Sequence, residues 1–114
     1  MKATLVLESR GLAPQLRSAP FNAMWSRLYQ AENYVLDLSC KAQGRHSSLQ
    51  GQLMLDSSPD IPSGTVTLLC ADKELGRATL DAFGQFQMNI DKPGKFQLRV
   101  DSQESFDVTD LRVE

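Results

Sequence analysis

The stretch Thr79-Leu80-Asp81-Ala82-Phe83-Gly84-Gln85-Phe86 decides how this chain folds. Its middle, Asp81 to Gly84, has the composition of a tight β-turn. Aspartate at the first position can accept a hydrogen bond from the backbone two residues on, and glycine at the fourth adopts a positive φ without steric cost. Apolar residues alternate with polar ones on both sides of the turn. The stretch therefore predicts a β-hairpin whose two arms each turn one apolar face to a core.

The same alternation continues along most of the chain. The predicted inward sets are Tyr34, Leu36, Leu38 and Cys40; Leu49, Gly51, Leu53 and Leu55; Val66, Leu68 and Cys70; Ala78 and Leu80; Phe86, Met88 and Ile90; Phe96, Leu98 and Val100; Phe106 and Val108. The alternation slips between Val108 and Leu111, which predicts a β-bulge. Short strands about ten residues apart, with no sustained helical period, predict an all-β, seven- to eight-stranded antiparallel β-sandwich.

The N-terminal part of the chain is less regular. We expect residues 1–30 to form an arm with a short strand at Ala3–Glu8 and a loop over Gly11–Pro20, and residues 31–114 to form the β-sandwich domain. Residues 21–30 fit either a helical turn or an edge strand, since Phe21, Trp25 and Leu28 also fall at helical spacing. Their aromatic content favours the strand.

Composition excludes several classes of function. The chain has 114 residues, with 12 basic and 14 acidic side chains and a net charge of -2. Because no basic stripe is present, we expect no nucleic-acid partner. No stretch has the apolar length of a membrane span, and Glu8 and Arg10 interrupt the first apolar run. These features favour a cytoplasmic protein without a membrane span.

The residues that could carry chemistry are few. His46 is the sole histidine and lies in a predicted polar turn, so we expect no catalytic residues and no enzyme. Asp81 could bind calcium with Asp56, Asp60 and Asp91, but no segment supplies a contiguous run of oxygen ligands. We therefore expect a turn-forming Asp81, no metal and no cofactor.

The two cysteines allow two interpretations. Cys40 and Cys70 both lie at inward positions, where free cysteine is usually buried and unreactive. The two residues are on different predicted strands, and a disulfide would form if those strands faced each other across the sandwich. Free thiols are the favoured interpretation.

Three aromatic residues, Trp25, Tyr29 and Phe83, are not placed by any alternation. They form the candidate interaction surface of this sequence, because exposed aromatic side chains anchor contacts with proteins or carbohydrates. Phe83 lies inside the turn. Its ring either caps the end of the sandwich or lies exposed.

Three groups of spaced residues resemble a known family. They are Gly51, Asp56, Ile61-Pro62, Gly64, Val66 and Leu68; then Thr79, Asp81, Gly84 and Phe86; then Pro93-Gly94, Phe96, Leu98 and Val100. Over residues 48–101 the pattern resembles the carboxypeptidase regulatory-like domain, a transthyretin-like β-sandwich. The resemblance implies a prealbumin/Ig-like Greek key. The chain departs from the family in its longer Ser58-Pro59-Asp60 segment and in Thr65, which replaces alanine.

The lead-in from Arg27-Leu28-Tyr29 to Leu38 looks like that of small bacterial members of the family, which are found near anti-sigma factors or zinc-ribbon proteins. The resemblance implies a non-catalytic protein-interaction or scaffolding module, in a sigma/anti-sigma signalling context. It would bind another protein, or a second copy as a homodimer, through sheet edges or the N-terminal arm. The alternative is a carbohydrate- or surface-binding module that uses Trp25, Tyr29 and Phe83 as a stacking platform.

Overall fold

A computed structural model of the chain describes residues 2–10, 23–43, 46–91 and 94–113. These residues form nine β-strands. The strands are β1 (Thr4–Arg10), β2 (Ala23–Ala31), β3 (Tyr34–Gln43), β4 (His46–Leu55), β5 (Thr65–Cys70), β6 (Lys73–Thr79), β7 (Gln85–Ile90), β8 (Gly94–Asp101) and β9 (Ser105–Val113). Within the described residues, no helix is long and apolar enough to cross a membrane. The predicted loop over Gly11–Pro20 lies outside the described residues.

The strands form two antiparallel sheets, which confirms the predicted all-β sandwich. One sheet has five strands in the order β1-β2-β3-β4-β7, and the other has four in the order β6-β5-β8-β9. β4 lies beside β7 and β5 beside β8, so strands distant in sequence become neighbours, as in a Greek key. The described residues contain nine strands instead of seven or eight, since β1 and β2 both belong to the larger sheet.

The core lies between the two sheets and follows the predicted alternation. Leu38, Cys40, Leu49, Val66, Leu98, Val100 and Val108 are 0% exposed, and Tyr34, Leu36, Leu53, Phe86, Phe96 and Phe106 are also buried. Gly51 is part of this pattern, because the ring of Phe86 occupies the space that a Cβ on Gly51 would need. One glycine therefore lets a strand of the larger sheet accept an aromatic ring from its neighbour.

The turn predicted at Asp81–Gly84 is confirmed. The Gly84 N–H donates to the Asp81 carbonyl at 3.0 Å, which closes the turn. The Asp81 carboxylate oxygen Oδ1 accepts from the backbone N–H of Phe83 at 2.8 Å and of Gln85 at 2.9 Å. Gly84 has a φ of 76°, in the region that favours glycine. Asp81 therefore uses its carboxylate to shape the turn.

The hairpin predicted around this turn is wrong. β6 pairs with β5 in the smaller sheet, whereas β7 pairs with β4 in the larger one. The stretch is a corner through which the chain crosses between the sheets. The alternation of apolar and polar residues specifies which face of each arm is apolar. It does not specify the sheet to which the arm belongs, because a strand of either sheet can turn its apolar face to the core. β6 pairs with β5 through the two-residue turn Ala71-Asp72, and this pairing leaves β7 to pair with β4.

The division into an arm and a sandwich also needs correction. The predicted first strand is present as β1, and residues 23–31 form a strand instead of a helical turn. β2 lies between β1 and β3 within the larger sheet, and its Trp25 and Tyr29 are buried. Because core residues of the sandwich lie before residue 31, the expected boundary between residues 1–30 and 31–114 does not separate two structural units.

The predicted bulge near the C-terminal end is confirmed. Phe96 pairs with Leu111 and Leu98 pairs with Val108, so β9 contains one more residue than β8 between these two pairs. The extra residue returns Leu111 to the inner face, where it is 1% exposed.

The corner predicts a contrast between two glycine substitutions. Gly84→Ala would force an L residue into a positive φ and bring its Cβ within 2.6 Å of the Leu53 carbonyl oxygen. We expect it to lower the free energy of unfolding by about 2–3 kcal/mol. Gly76→Ala is the matched control, because nothing lies within 4 Å of its Cβ. It should change stability by less than about 0.5 kcal/mol in urea denaturation followed by circular dichroism. Equal effects of the two substitutions would contradict the corner's geometry.

Candidate interaction site

β1 is an edge strand with an apolar surface. Leu5 is 45% exposed, Val6 55% and Leu7 62%, and we call these three residues the edge patch. β1 pairs with β2 on one side. On its other side the described residues contribute only a contact before the strand begins, where the Ala3 N–H donates to the Asp107 carbonyl at 2.8 Å. The edge from Thr4 to Arg10 has no neighbouring strand within the described part of the chain.

A β-bulge places the edge patch on both faces of the sheet. Leu5 pairs with Tyr29 and Leu7 pairs with Leu28, so Val6 is the extra residue of β1. Cross-strand partners share a face. Leu5 is therefore on the inner face with Tyr29, and Leu7 on the outer face with Leu28. The patch wraps around the edge of the sheet.

An ion pair in a partly buried site holds β1 to β2. Arg27 Nε lies 2.8 Å from Glu8 Oε2, and the Arg27 side chain is only 10% exposed. Its guanidinium carbon lies 4.2 Å from the Trp25 ring centroid, and Nη1 donates to the Tyr29 hydroxyl at 3.4 Å. Burial by itself would lower the pKa of Arg27, but the hydrogen bonds with Glu8 and Tyr29 outweigh it and raise that pKa. Arg27 therefore stays charged and fixes the exposed strand in place.

The edge of the smaller sheet at β6 has a different surface. Leu75 is 46% exposed, but it lies among Lys73, Glu74 and Arg77, and Arg77 Nη2 pairs with Glu74 Oε1 at 2.8 Å. Charged side chains on an edge strand discourage pairing with another chain. β1 instead exposes three consecutive apolar side chains.

The structure does not present the three sequence-predicted aromatic residues as one surface. Trp25 is 4% exposed and Tyr29 5%, because β2 lies inside the larger sheet and both rings point into the core. The expectation of a stacking platform is corrected accordingly for these two rings. Phe83 is 64% exposed, so of its two alternatives the structure has the exposed ring instead of the cap.

Phe83 borders an apolar groove at the corner. The groove has a volume of about 300 Å³ and is lined by Phe83, Ile61, Met54, Pro59 and Pro62. Ile61 is 54% exposed. The Gln52 side-chain amide donates to the Phe83 carbonyl at 3.2 Å and helps to hold the turn. The exposed ring is therefore carried on a well-ordered turn.

The other candidate residues lie apart from one another. The Asp56 carboxylate accepts from Gln30 Nε2 at 3.2 Å, and the described residues contain no group of three or more His, Cys, Asp or Glu side chains that could hold a metal ion. His46 is exposed at the start of β4.

Both cysteines are free thiols in this structure, Cys40 buried and Cys70 half-buried. Burial raises the pKa of the Cys40 thiol, with partial compensation from a hydrogen bond with Ser47 and the charge of Arg27. A thiol with a raised pKa is a poor nucleophile at neutral pH.

Comparison with known proteins identifies no relative. No protein-family model matches the chain, and no curated protein or solved structure is significantly similar to it. The fold and the surfaces described above are therefore the evidence on which a function is proposed.

The different burial of the aromatic residues predicts different costs of removing them. Trp25→Ala should lower the free energy of unfolding by about 3–5 kcal/mol, because it leaves a cavity in the core. Phe83→Ala should change it by less than about 0.5 kcal/mol. Far-ultraviolet circular dichroism during urea denaturation measures both without relying on the fluorescence of the single tryptophan. A large loss of stability for Phe83→Ala would show that the ring packs on the sandwich.

Asp37 predicts a pH-dependent effect. Asp37 is an exposed residue on the outer face of β3, and partial desolvation of its carboxylate raises its pKa above the ordinary value of 3.8. The folded state therefore disfavours the charged form, and this penalty is present at neutral pH and disappears as the pH falls through the raised pKa. Asp37→Asn should raise stability slightly at neutral pH and lose this effect well below pH 3.8, where both states are protonated. Urea denaturation at both pH values checks this, and a loss of stability at neutral pH would contradict it.

Proposed function

We propose that this protein is a non-catalytic interaction module that binds an extended segment of another protein along the free edge of β1. The observation that carries the proposal is the edge patch of Leu5, Val6 and Leu7, at 45%, 55% and 62% exposure on an edge strand. A partner strand that adds to this edge would pair with the backbone on the side of β1 that has no neighbouring strand within the described residues, and would cover the apolar side chains of the edge patch.

The energetics favour a partner with apolar side chains. Covering a Val or Leu side chain that is about half exposed contributes roughly 1 kcal/mol. Three such side chains add to the backbone hydrogen bonds of a new strand pair, whose net value is about 0.5–1.5 kcal/mol each. A long apolar edge that stays uncovered promotes aggregation. A partner strand with apolar residues on both of its faces satisfies the backbone and the side chains together.

β1 is already paired with β2 in the absence of a partner. The Glu8–Arg27 pair at 2.8 Å and the stacking of Arg27 on Trp25 hold β1 against β2. A partner therefore orders only its own segment, which reduces the entropic cost of binding.

The resemblance of residues 48–101 to the carboxypeptidase regulatory-like domain supports a module without catalytic residues. The similarity of residues 27–38 to small bacterial members of that family supports a place in a sigma/anti-sigma signalling assembly. Both inferences are part of the proposal.

The test compares two exposed edges. A phage-displayed peptide library selected on the full chain should yield peptides with closely spaced apolar residues. The double variant Leu5→Lys with Leu7→Lys should weaken their binding by at least about tenfold, since the two lysines remove apolar contact and add charge to the edge. Leu75→Lys is the matched control, because Leu75 on β6 is 46% exposed and Leu5 is 45% exposed. It should leave affinity within about twofold.

Light scattering over a range of protein concentrations shows whether the edge of β1 binds a second copy of this chain or another protein. A dimer that dissociates in the double variant would make a second copy of this chain the partner. Hydrogen exchange should slow at residues 4–10 when a selected peptide is bound. A monomer that selects no peptides, or peptides that bind both lysine variants equally, would overturn the proposal.

A further inference from the structure

The outer face of the five-stranded sheet carries a regular array of polar side chains, most of them amides. Ser39, Gln50 and Gln87 are in register across β3, β4 and β7, and Asp37, Gln52 and Gln85 form the next row. We call these six residues the amide grid. Outward positions on the solvated face of an antiparallel sheet are polar, and four of these six are glutamines. Asp37 is the only ionisable residue of the grid.

The amide grid lines a cleft. The cleft has a volume of about 580 Å³, and Thr79 and Asp81 from the corner complete its wall. This volume lies within the range of small-molecule sites in proteins. Among the described residues that line it, there is no lysine, arginine or histidine. The chemistry that it offers consists of amides, hydroxyls and carboxylates.

Several of these groups are available to a ligand. Gln87 Nε2 donates to Ser48 Oγ at 2.9 Å and Gln52 Nε2 donates to the Phe83 carbonyl at 3.2 Å, so these two amides are oriented by the protein. Gln50 and Gln85 make no side-chain hydrogen bond within the described residues, and their amides can donate and accept. The Asp37 carboxylate has no cationic partner there, and burial raises its pKa. It can accept hydrogen bonds from two donors.

We propose that this cleft binds a neutral saccharide. An amide donates and accepts in one plane and so matches a pair of adjacent hydroxyl groups, and a carboxylate accepts from two hydroxyls. Neighbouring strands lie about 4.8 Å apart and successive outward residues about 6.8 Å apart, so the grid presents polar groups at the scale of one or two sugar rings.

Other ligand classes fit the cleft less well. Asp37 and Asp81 repel an anion, and a metal ion would need more oxygen ligands than Asp37 supplies, since Asp81 bonds the backbone of its own turn. The lining has little exposed apolar surface with which to anchor a protein.

This site is distinct from the edge of β1. It lies across β3, β4 and β7, and it includes neither the edge patch nor the buried Trp25 and Tyr29. The ligand would be held by hydrogen bonds to amides without an aromatic stacking platform. We therefore expect a dissociation constant of about 1 mM, typical of a few polar contacts.

The experiment is a nuclear magnetic resonance titration of the full, ¹⁵N-labelled chain. Neutral oligosaccharides with glucose, xylose, mannose and N-acetylglucosamine units are added in turn, and the side-chain amide signals of the glutamines are followed. At least one neutral sugar should shift the signals of Gln50 and Gln85. A uronic-acid oligosaccharide should bind more weakly, because its carboxylates approach Asp37.

Matched variants test whether the amides hold the sugar. Gln50→Ala and Gln85→Ala should each weaken binding roughly threefold to tenfold, the loss expected for one neutral hydrogen bond. Asn89→Ala is the control, since Asn89 is exposed on the outer face of β7 next to the grid but does not line the cleft. It should leave the dissociation constant within about twofold.

Three outcomes would overturn the inference. The first is that no neutral sugar shifts any resonance at concentrations well above the expected dissociation constant. The second is that the shifted resonances all belong to residues outside β3, β4 and β7. The third is that the two glutamine variants bind the sugar with unchanged affinity. This titration can fail or succeed separately from the test of peptide binding at β1. The edge variant with Leu5→Lys and Leu7→Lys should bind the sugar with the same affinity as the unmodified chain.

Discussion

The fold depends on the hydrogen bonds that the Asp81 carboxylate makes with its own turn. They hold the corner at which the chain passes from the four-stranded to the five-stranded sheet. The corner is tied to both sheets, because the Leu80 N–H donates to the Gly64 carbonyl at 2.9 Å and the Leu53 N–H donates to the Gly84 carbonyl at 2.8 Å. These bonds connect the corner to both sheets at the point where β7 enters its place beside β4.

Both proposed surfaces result from the strand order of the five-stranded sheet. When β7 joins β4, its outward glutamines come into register with those of β4, and the amide grid forms. The larger sheet then extends through β3 and β2 to β1, which becomes its outer edge and leaves Leu5, Val6 and Leu7 exposed. The proposed protein-binding edge and the proposed saccharide cleft therefore lie on different parts of one sheet, and both could be occupied together.

The alternation of residues predicted much of the core but little of the candidate sites. Most residues of the inward sets from Tyr34 to Phe106 are buried, whereas Leu55, Cys70 and Ala78 are partly buried. The slip between Val108 and Leu111 is a bulge, because a strand shows alternate residues to opposite faces. Trp25 and Tyr29 were expected on the surface, since residues 21–30 have no clear period. The glutamines at positions 50, 52, 85 and 87 were a visible signal of the cleft, although only their pairing shows that they meet.

The sequence by itself determined most strands from Tyr34 onward, their apolar faces and the turn at Asp81, because these depend on residues that are close along the chain. The tertiary structure alone decided which strands are neighbours, and so which edge is free, which aromatic rings are buried and which glutamines align. The reason is physical. Alternation fixes the face that a strand turns to the core, but strands of either sheet can present that face, and the choice depends on pairing between residues far apart in the sequence.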